Sequence, residues 1–232
     1  MNQKTKIVLI YFAMACACVL ILSVSFWMRA GLIEREKPVV KNSGAEKVDE
    51  FFPITADFSA INQKGESVKL SDLKGKVWVV CEFFAVCPHC AMRNGAELRE
   101  LIETFGSDPN FHLVCISIDP EQDNQEKIAE YASCLNAEHK NWWFLSNGNA
   151  ASTHEFMEKT MKFFSVKLRT DPADIESNGK YAHDLGLALV NEDFTFIKKW
   201  PLAESRELGP AQYQAVKKEM YDRIRAELAS KP

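Results

Sequence analysis

The chain has 232 residues, and 47% of them are apolar, which is enough for one domain with its own hydrophobic core. The formal net charge is −4 at pH 7, although residues 1–29 contain Lys4, Lys6 and Arg29 and no acidic side chain. The rest of the chain is therefore mildly acidic. Proteins that bind nucleic acid carry a basic surface, so this class is excluded.

An uncharged apolar segment runs from Ile7 to Met28. It is as long as the roughly 20 residues that a helix needs to cross a bilayer, and it predicts a single transmembrane anchor. The alternative is a cleaved signal peptide, with a small-residue cleavage site at residues 23–25. The apolar residues 26–28 continue beyond that site and favour the anchor.

The basic residues before the apolar segment favour a cytoplasmic N-terminus over residues 1–6. No Arg- and Ser-rich presequence is present, so a bacterial inner (cytoplasmic) membrane is expected rather than an organelle. Residues 29–50 are polar and mixed in charge, and they predict a flexible linker. Residues 51–232 then form one domain, in the periplasm or outside the cell.

The strands are predicted from apolar patterns. The segment VWVVCEFF, residues 77–84, is almost wholly apolar, which is typical of a central strand covered on both faces. The other predicted strands are Ile54–Ile61, Phe111–Ile118, Trp142–Leu145, Leu187–Val190 and Thr195–Trp200.

Helices are predicted between these strands. One begins at Pro88 and continues to Phe105, and another begins at a capping box formed by Asp123 and Glu126. A third carries residues 156–164, and Gly209-Pro210 opens the last. Alternating strands and helices predict an α/β layered sheet.

Cys87 and Cys90 are the only close cysteine pair outside the apolar segment. The remaining cysteines of the domain, Cys81, Cys115 and Cys134, are interpreted as small buried hydrophobic residues. One special dithiol on a core-stabilised domain is therefore expected, rather than a disulfide framework.

The dithiol Cys87-Pro88-His89-Cys90 follows a buried strand and opens a helix. Pro88 suits the first helical position, and the helix N-terminus favours the thiolate of Cys87. A thiolate pair can attack a disulfide or bind a soft metal such as Cu(I). The alternatives are an inert disulfide or half of a zinc site, but the domain has no second CxxC to complete four cysteine ligands.

Several segments resemble the Sco/SenC family. They are VKLSDLKGKVW at 68–78, ISIDPEQD at 116–123, WFLS at 143–146 and YAH at 181–183, and the spacing from His183 to Leu189 also matches. The resemblance covers about residues 54–200, and the order of the segments is more specific than any one of them.

This resemblance implies a thioredoxin-like fold, with a central mixed sheet flanked by helices. It also implies a copper site formed by Cys87, Cys90 and His183, and a role in assembling the copper site of cytochrome oxidase. The implied partner is the copper-bearing subunit of the oxidase.

Two features point in different directions. The family carries CxxxC, whereas this chain has the CPHC of DsbA-type thiol oxidases, which favours a thiol–disulfide oxidoreductase with Cys87 as nucleophile and Cys90 as resolving thiol. Its partner would be another extracytoplasmic thiol protein. However, such oxidoreductases place a proline before a late strand, and residues 173–200 contain none. A thiol peroxidase is a third, weaker alternative.

The remaining candidates have simpler interpretations beside them. Glu82 could accept a proton from the dithiol, or it could turn to solvent, and His183 could be an exposed loop histidine. Asp119 is expected to orient a neighbouring group. Met157 and Met161 are expected in the core rather than on copper, and His112, His139 and His154 have no assigned partner.

Overall fold

A computed structural model describes residues 51–85 and 94–230, together with Asn2, Thr5, Met14, Val19, Leu20 and Ser23. The chain divides into two compact units, Met1–Lys47 and Val48–Pro232. In the first unit, the described residues from Thr5 to Ser23 are helical. No helix in the described part of the chain is long and apolar enough to span a membrane. The predicted anchor, residues 7–28, lies mostly outside the described residues and stays a prediction.

Within residues 51–85 and 94–230, the second unit has ten strands. They are β1 Phe52–Pro53, β2 Ser59–Asn62, β3 Ser67–Lys69, β4 Val77–Phe83, β5 Phe111–Ser117, β6 Trp142–Ser146, β7 Lys167–Leu168, β8 Tyr181–Ala182, β9 Leu187–Val190 and β10 Thr195–Trp200. Its helices within residues 51–85 and 94–230 are a 3-10 helix Leu70–Leu73, α1 Gly95–Phe105, α2 Gln125–Cys134, α3 Ala150–Glu155, a π-helical turn Phe156–Thr160, α4 Pro172–Asn178, α5 Leu202–Glu207 and α6 Pro210–Ala229.

Eight strands form one mixed sheet in the order β1-β10-β9-β4-β5-β6-β2-β3. Strands β4, β5 and β6 are parallel, whereas β9 pairs with β4 in the antiparallel sense. Strands β7 and β8 form a separate two-stranded sheet. This is the thioredoxin-like arrangement that the family resemblance implies, with helices flanking a central mixed sheet.

Strand β4 lies near the centre of the sheet, and all seven of its residues are buried. Because side chains alternate along a strand, β4 contributes to two cores. Val79 and Cys81 pack with α1, α2 and α6, whereas Trp78 and Val80 pack with the 3-10 helix and the π-helical turn. The prediction of a central strand covered on both faces is confirmed.

The last hairpin and the last helix agree with the sequence prediction, whereas some earlier elements differ. The hairpin β9–β10 and the start of α6 at Pro210 are confirmed. The predicted strand Ile54–Ile61 is shorter and starts only at Ser59. The predicted helix over 156–164 ends at Thr160, and Phe164 is exposed rather than part of an apolar helix face.

Candidate metal centre

The candidate site lies where β4 ends and where the turn between β8 and β9 returns to the sheet. Strand β4 leads towards Cys87 and Cys90, which lie outside the described residues together with the rest of 86–93. The roles predicted for these two cysteines therefore stay predictions. Among residues 51–85 and 94–230, no group of three or more His, Cys, Asp or Glu side chains is placed to hold a metal ion.

His183 lies in the turn between β8 and β9, and its side chain is only 4% exposed. Its Nδ1 lies 2.9 Å from the carbonyl oxygen of Asp184. A carbonyl can only accept a hydrogen bond, so Nδ1 carries the proton in this arrangement, and Nε2 is the ring nitrogen that can bind a ligand. The ring of Phe84, just after β4, packs edge-on against the imidazole at 5.6 Å between centroids. The alternative of an exposed loop histidine is wrong.

Glu82 is buried in β4, so the alternative in which it turns to solvent is also wrong. Its Oε2 accepts a 3.1 Å hydrogen bond from the main-chain N–H of Asp184 and lies 3.4 Å from Nδ1 of His183. Burial raises the pKa of the Glu82 carboxyl above its ordinary value, although the contact with His183 opposes this rise. The second oxygen, Oε1, has no hydrogen-bond partner among the described residues.

Asp184 holds the turn together from the inside. Its Oδ1 accepts from the N–H of Gly186 at 2.8 Å, and its Oδ2 accepts from the N–H of Phe164 at 3.1 Å and from the ammonium of Lys199. The Lys199 ammonium also lies 4.3 Å from the centroid of the Phe164 ring. The turn that carries His183 is therefore fixed both to β10 and to the segment after the π-helical turn.

Asp119 follows β5 and contacts the same region. Its Oδ1 accepts a 3.1 Å hydrogen bond from the hydroxyl of Tyr181, whose ring packs edge-on against Phe84. Tyr181 is the first residue of β8, which leads directly to His183. The expectation that Asp119 orients a neighbouring group is confirmed, since it fixes this tyrosine.

Asp123 has a role that sequence reasoning missed. The predicted capping box is wrong, because α2 begins at Gln125 and is capped by the side chain of Asn124. Asp123 is instead fully buried, and its Oδ2 accepts hydrogen bonds from the Ser117 hydroxyl and, at 3.0 Å, from the N–H of Ala85. Burial raises the pKa of Asp123 despite these two hydrogen bonds. An aspartate followed three residues later by a glutamate looks the same in the sequence whether it caps a helix or is buried elsewhere. The sequence therefore gives no signal for this contact.

The remaining cysteines and methionines lie largely as expected. Cys81 and Cys115 are buried on neighbouring strands with their sulfur atoms 3.5 Å apart, whereas Cys134 is exposed, contrary to expectation. Met157 and Met161 are in the core. The short helix α3 places His154 with its Nε2 at 2.7 Å from the carbonyl oxygen of Ile118.

Two other histidines lie outside the site. His112 is buried beside the Trp143 ring, and its two ring nitrogens have no hydrogen-bond partner among the described residues. His139 accepts through Nδ1 from the N–H of Asn141 at 3.2 Å. None of these contacts brings His112 or His139 next to His183.

Solved structures of other proteins are similar to this chain in fold. A solved structure of BsSco, described as a Sco-family cytochrome c oxidase assembly protein with a disulfide switch, matches with a TM-score of 0.55 and 20% identity, covering 80% of this chain and 98% of that one. The structure of Bradyrhizobium japonicum ScoI with copper bound matches with a TM-score of 0.53 and 20% identity, covering 70% of this chain and 97% of that one. At these identities the two structures show the shared fold.

Sequence comparison gives the family. The SCO1 protein homolog of Bacillus subtilis (strain 168) is 25% identical over 144 residues, which are 62% of this chain and 71% of that protein. The SCO1/SenC family model matches residues 46–218, which is most of the chain and includes every described residue of the site. The chain belongs to the SCO1/SenC family.

Proposed function

We propose that this protein binds copper through Cys87, Cys90 and His183 and delivers it to the copper site of a cytochrome oxidase. The observation that carries the proposal is the burial and hydrogen bonding of the His183 imidazole. Its imidazole is buried beside the end of β4, and its Nδ1 proton is held by a carbonyl oxygen. Histidines that bind metals characteristically donate their second ring nitrogen in this way, which leaves Nε2 for the metal.

The donor set fits copper chemically. Two thiolates and one neutral imidazole are soft and borderline ligands, which suit Cu(I) in particular. A family relative contains copper in its solved structure, and this supports the same cargo here. In this proposal Cys87 and Cys90 supply the sulfur ligands from the segment that follows β4, and His183 closes the site from the β8–β9 turn.

A second candidate function is thiol–disulfide exchange with another extracytoplasmic thiol protein. The CPHC spacing supports it, since a CxxC at a helix N-terminus favours a reactive thiolate. Cys87 would attack the client disulfide, and Cys90 would displace the client from the mixed disulfide. A disulfide switch in a Sco relative is consistent with redox chemistry at this dithiol.

The variant His183→Ala separates the two functions. Under the copper proposal it sharply weakens copper binding by the full-length chain, while Cys87 and Cys90 still form their disulfide. The matched control is His139→Ala, which removes a histidine outside the site and should leave about one copper bound per chain. Unchanged copper affinity and unchanged oxidase assembly in His183→Ala would contradict the ligand assignment and favour the oxidoreductase.

The same proposal places the domain outside the cytoplasm on a single anchor formed by residues 7–28. The uncharged length of that segment supports the anchor. The protein should then remain with membranes after an alkaline wash, and a reporter fused after Pro232 should be active only outside the cytoplasm. Recovery of a soluble form that begins near Phe26 would instead identify a cleaved signal peptide.

A further inference from the structure

One carboxylate oxygen joins two distant parts of the candidate site. Oε2 of Glu82, on β4, accepts the main-chain N–H of Asp184 at 3.1 Å across a sequence separation of 102 residues. The same oxygen lies 3.4 Å from Nδ1 of His183. Glu82 therefore contacts both the backbone of the β8–β9 turn and the imidazole that the turn carries.

The burial of Glu82 makes this contact costly. Its side chain has no exposed surface, and Oε1 has no hydrogen-bond partner among the described residues. Burying a carboxylate opposes folding unless its hydrogen bonds and its charge are satisfied. An apolar residue would fit the rest of this buried strand, which is apolar. The carboxylate thus contributes little to folding through its own burial.

The other acceptor near His183 cannot replace this contact. The carbonyl oxygen of Asp184 accepts from Nδ1, but it belongs to the residue next to His183 and moves with the same turn. Asp184 itself is tied to Lys199 and Phe164, which lie on β10 and after the π-helical turn. Of the described side chains that contact the imidazole through a polar atom, Glu82 is the one on β4, the strand that continues towards Cys87.

We propose that Glu82 is a positioning residue for the His183 imidazole. It accepts from the Asp184 N–H and shares the Nδ1 proton of His183, and so it fixes both the tautomer and the direction of Nε2 relative to the end of β4. This inference rests on the proposed function for the claim that Nε2 binds copper. The contribution of Glu82 to the tautomer does not depend on copper.

The test compares Glu82→Leu and Glu82→Gln in the full-length chain. Leucine removes the acceptor, whereas the glutamine amide oxygen retains one at the same distance along the side chain. Glu97→Gln is the matched control, because Glu97 is also a buried glutamate but contacts Arg206, Tyr213 and Lys217 instead. The His183 ring is observed by NMR in copper-free protein labelled with 15N at histidine, and its signals are identified by their loss in His183→Ala.

The expected result is an Nδ1–H tautomer for His183 in the wild type, in Glu82→Gln and in Glu97→Gln. In Glu82→Leu the Nε2–H tautomer should gain population, and copper affinity measured by chelator competition should fall about 10–100-fold. Glu82→Gln should restore the affinity to within about threefold of the wild type, since a residue of this kind acts through hydrogen bonding.

Three outcomes would overturn the inference. The first is a wild-type His183 that carries its proton on Nε2, and this measurement does not require any variant to fold. The second is Glu82→Leu with an unchanged tautomer and unchanged copper affinity. The third is a folded Glu82→Gln that loses the Nδ1–H tautomer. A wild-type chain that binds no copper would overturn the proposed function instead, and the tautomer would still decide the role of Glu82.

Discussion

The main-chain N–H of Ala85, two residues before Cys87, donates a 3.0 Å hydrogen bond to Oδ2 of Asp123. The same oxygen accepts from the Ser117 hydroxyl at the end of β5. A single buried carboxylate thus joins the residue that follows β4 and Phe84 to the end of the neighbouring parallel strand β5.

We expect Asp123→Ala to lower the free energy of unfolding by about 1–3 kcal/mol, because it leaves a buried N–H and a buried hydroxyl without their acceptor. Urea unfolding measures this change. Asp193→Ala, at an exposed position in the β9–β10 turn, should change the free energy by less than about 0.5 kcal/mol. Equal effects of the two substitutions would show that Asp123 does not stabilise this connection.

Gly186→Ala should disturb the turn that carries His183. A Cβ atom at Gly186 would lie 2.8 Å from Oδ1 of Asp184 and 2.9 Å from the Lys199 side chain, so one of these groups must shift. We expect a loss of about 1–3 kcal/mol in stability together with weaker copper binding. Gly106→Ala is the control, because its Cβ would clash with the Ile102 carbonyl oxygen and should reduce stability without changing copper affinity in the folded fraction. Tight copper binding by folded Gly186→Ala would contradict this prediction.

The elements that the sequence predicts well are those with a local signal. The apolar runs of β4, β5 and β9 reflect burial that each segment carries in its own pattern. The start of α6 is predicted for a similar reason, since Gly209-Pro210 is a local signal. In each case the information lies within a few neighbouring residues.

The contacts of the site could not be predicted because they join distant segments. Whether Glu82 faces solvent or His183 depends on a turn about a hundred residues later, and no local pattern encodes that approach. Asp123 fits the local pattern of a helix cap, whereas its partners in the structure, Ala85 and Ser117, lie on two other segments. The family resemblance supplied His183 as a candidate, but not the acceptors that hold its ring.

Glu97 should be the main polar link between α1 and the C-terminal helices. It is buried, it accepts from Arg206 and from the Tyr213 hydroxyl, and Lys217 Nζ lies 3.4 Å from its Oε2. Although burial opposes them, these contacts hold the pKa of Glu97 below its ordinary value. We expect Glu97→Ala to reduce stability by about 1–3 kcal/mol in urea unfolding at neutral pH.

The control for Glu97 is Glu100→Ala, one turn further along α1. Glu100 is about half exposed and pairs with Lys217, so its loss should cost less than about 1 kcal/mol. The contribution of Glu97 should be present above its ordinary pKa of 4.5 and should be lost as the pH falls further. A pH-independent difference between wild type and Glu97→Ala would contradict an ionic role.

The buried imidazole of His112 should also make the stability of the protein depend on pH. Burial, reinforced by the charges of Lys76 and His139, lowers the pKa of His112 from 6.5 to about 3. Between these values the unfolded chain binds a proton that the folded protein does not, so stability falls as the pH decreases from about 6.5 towards 3. The slope contributed by this residue is at most about 1.4 kcal/mol per pH unit.

His112→Leu should remove that slope, and the difference between its stability curve and that of the wild type isolates the contribution of His112. Urea unfolding from pH 7.5 to pH 4 provides both curves. His139→Gln leaves the buried imidazole of His112 in place, so this variant should retain most of the slope. Parallel curves for wild type and His112→Leu would mean that His112 is protonated equally in the folded and unfolded states.

The cysteines should react with iodoacetamide in a defined order in the reduced, native protein. Cys81 and Cys115 are buried, and the hydrogen bond to Cys115 together with burial raises the pKa of Cys81 well above its ordinary value. Both should stay unlabelled until the protein unfolds. Cys134 is exposed and serves as the internal reference for an accessible thiol.

Cys87 should be labelled faster than Cys134 near neutral pH, because a helix N-terminus is predicted to lower its pKa below the ordinary value of about 8.5. Mass spectrometry of the peptides measures each rate separately. Cu(I) should then protect Cys87 and Cys90 in the wild type but much less in His183→Ala, since protection requires the complete ligand set. Equal rates for Cys87 and Cys134 would remove the case for an activated thiol and with it the oxidoreductase. Equal protection in wild type and His183→Ala would show that copper is held by the two sulfur atoms alone, and His183 would lose its place as a ligand.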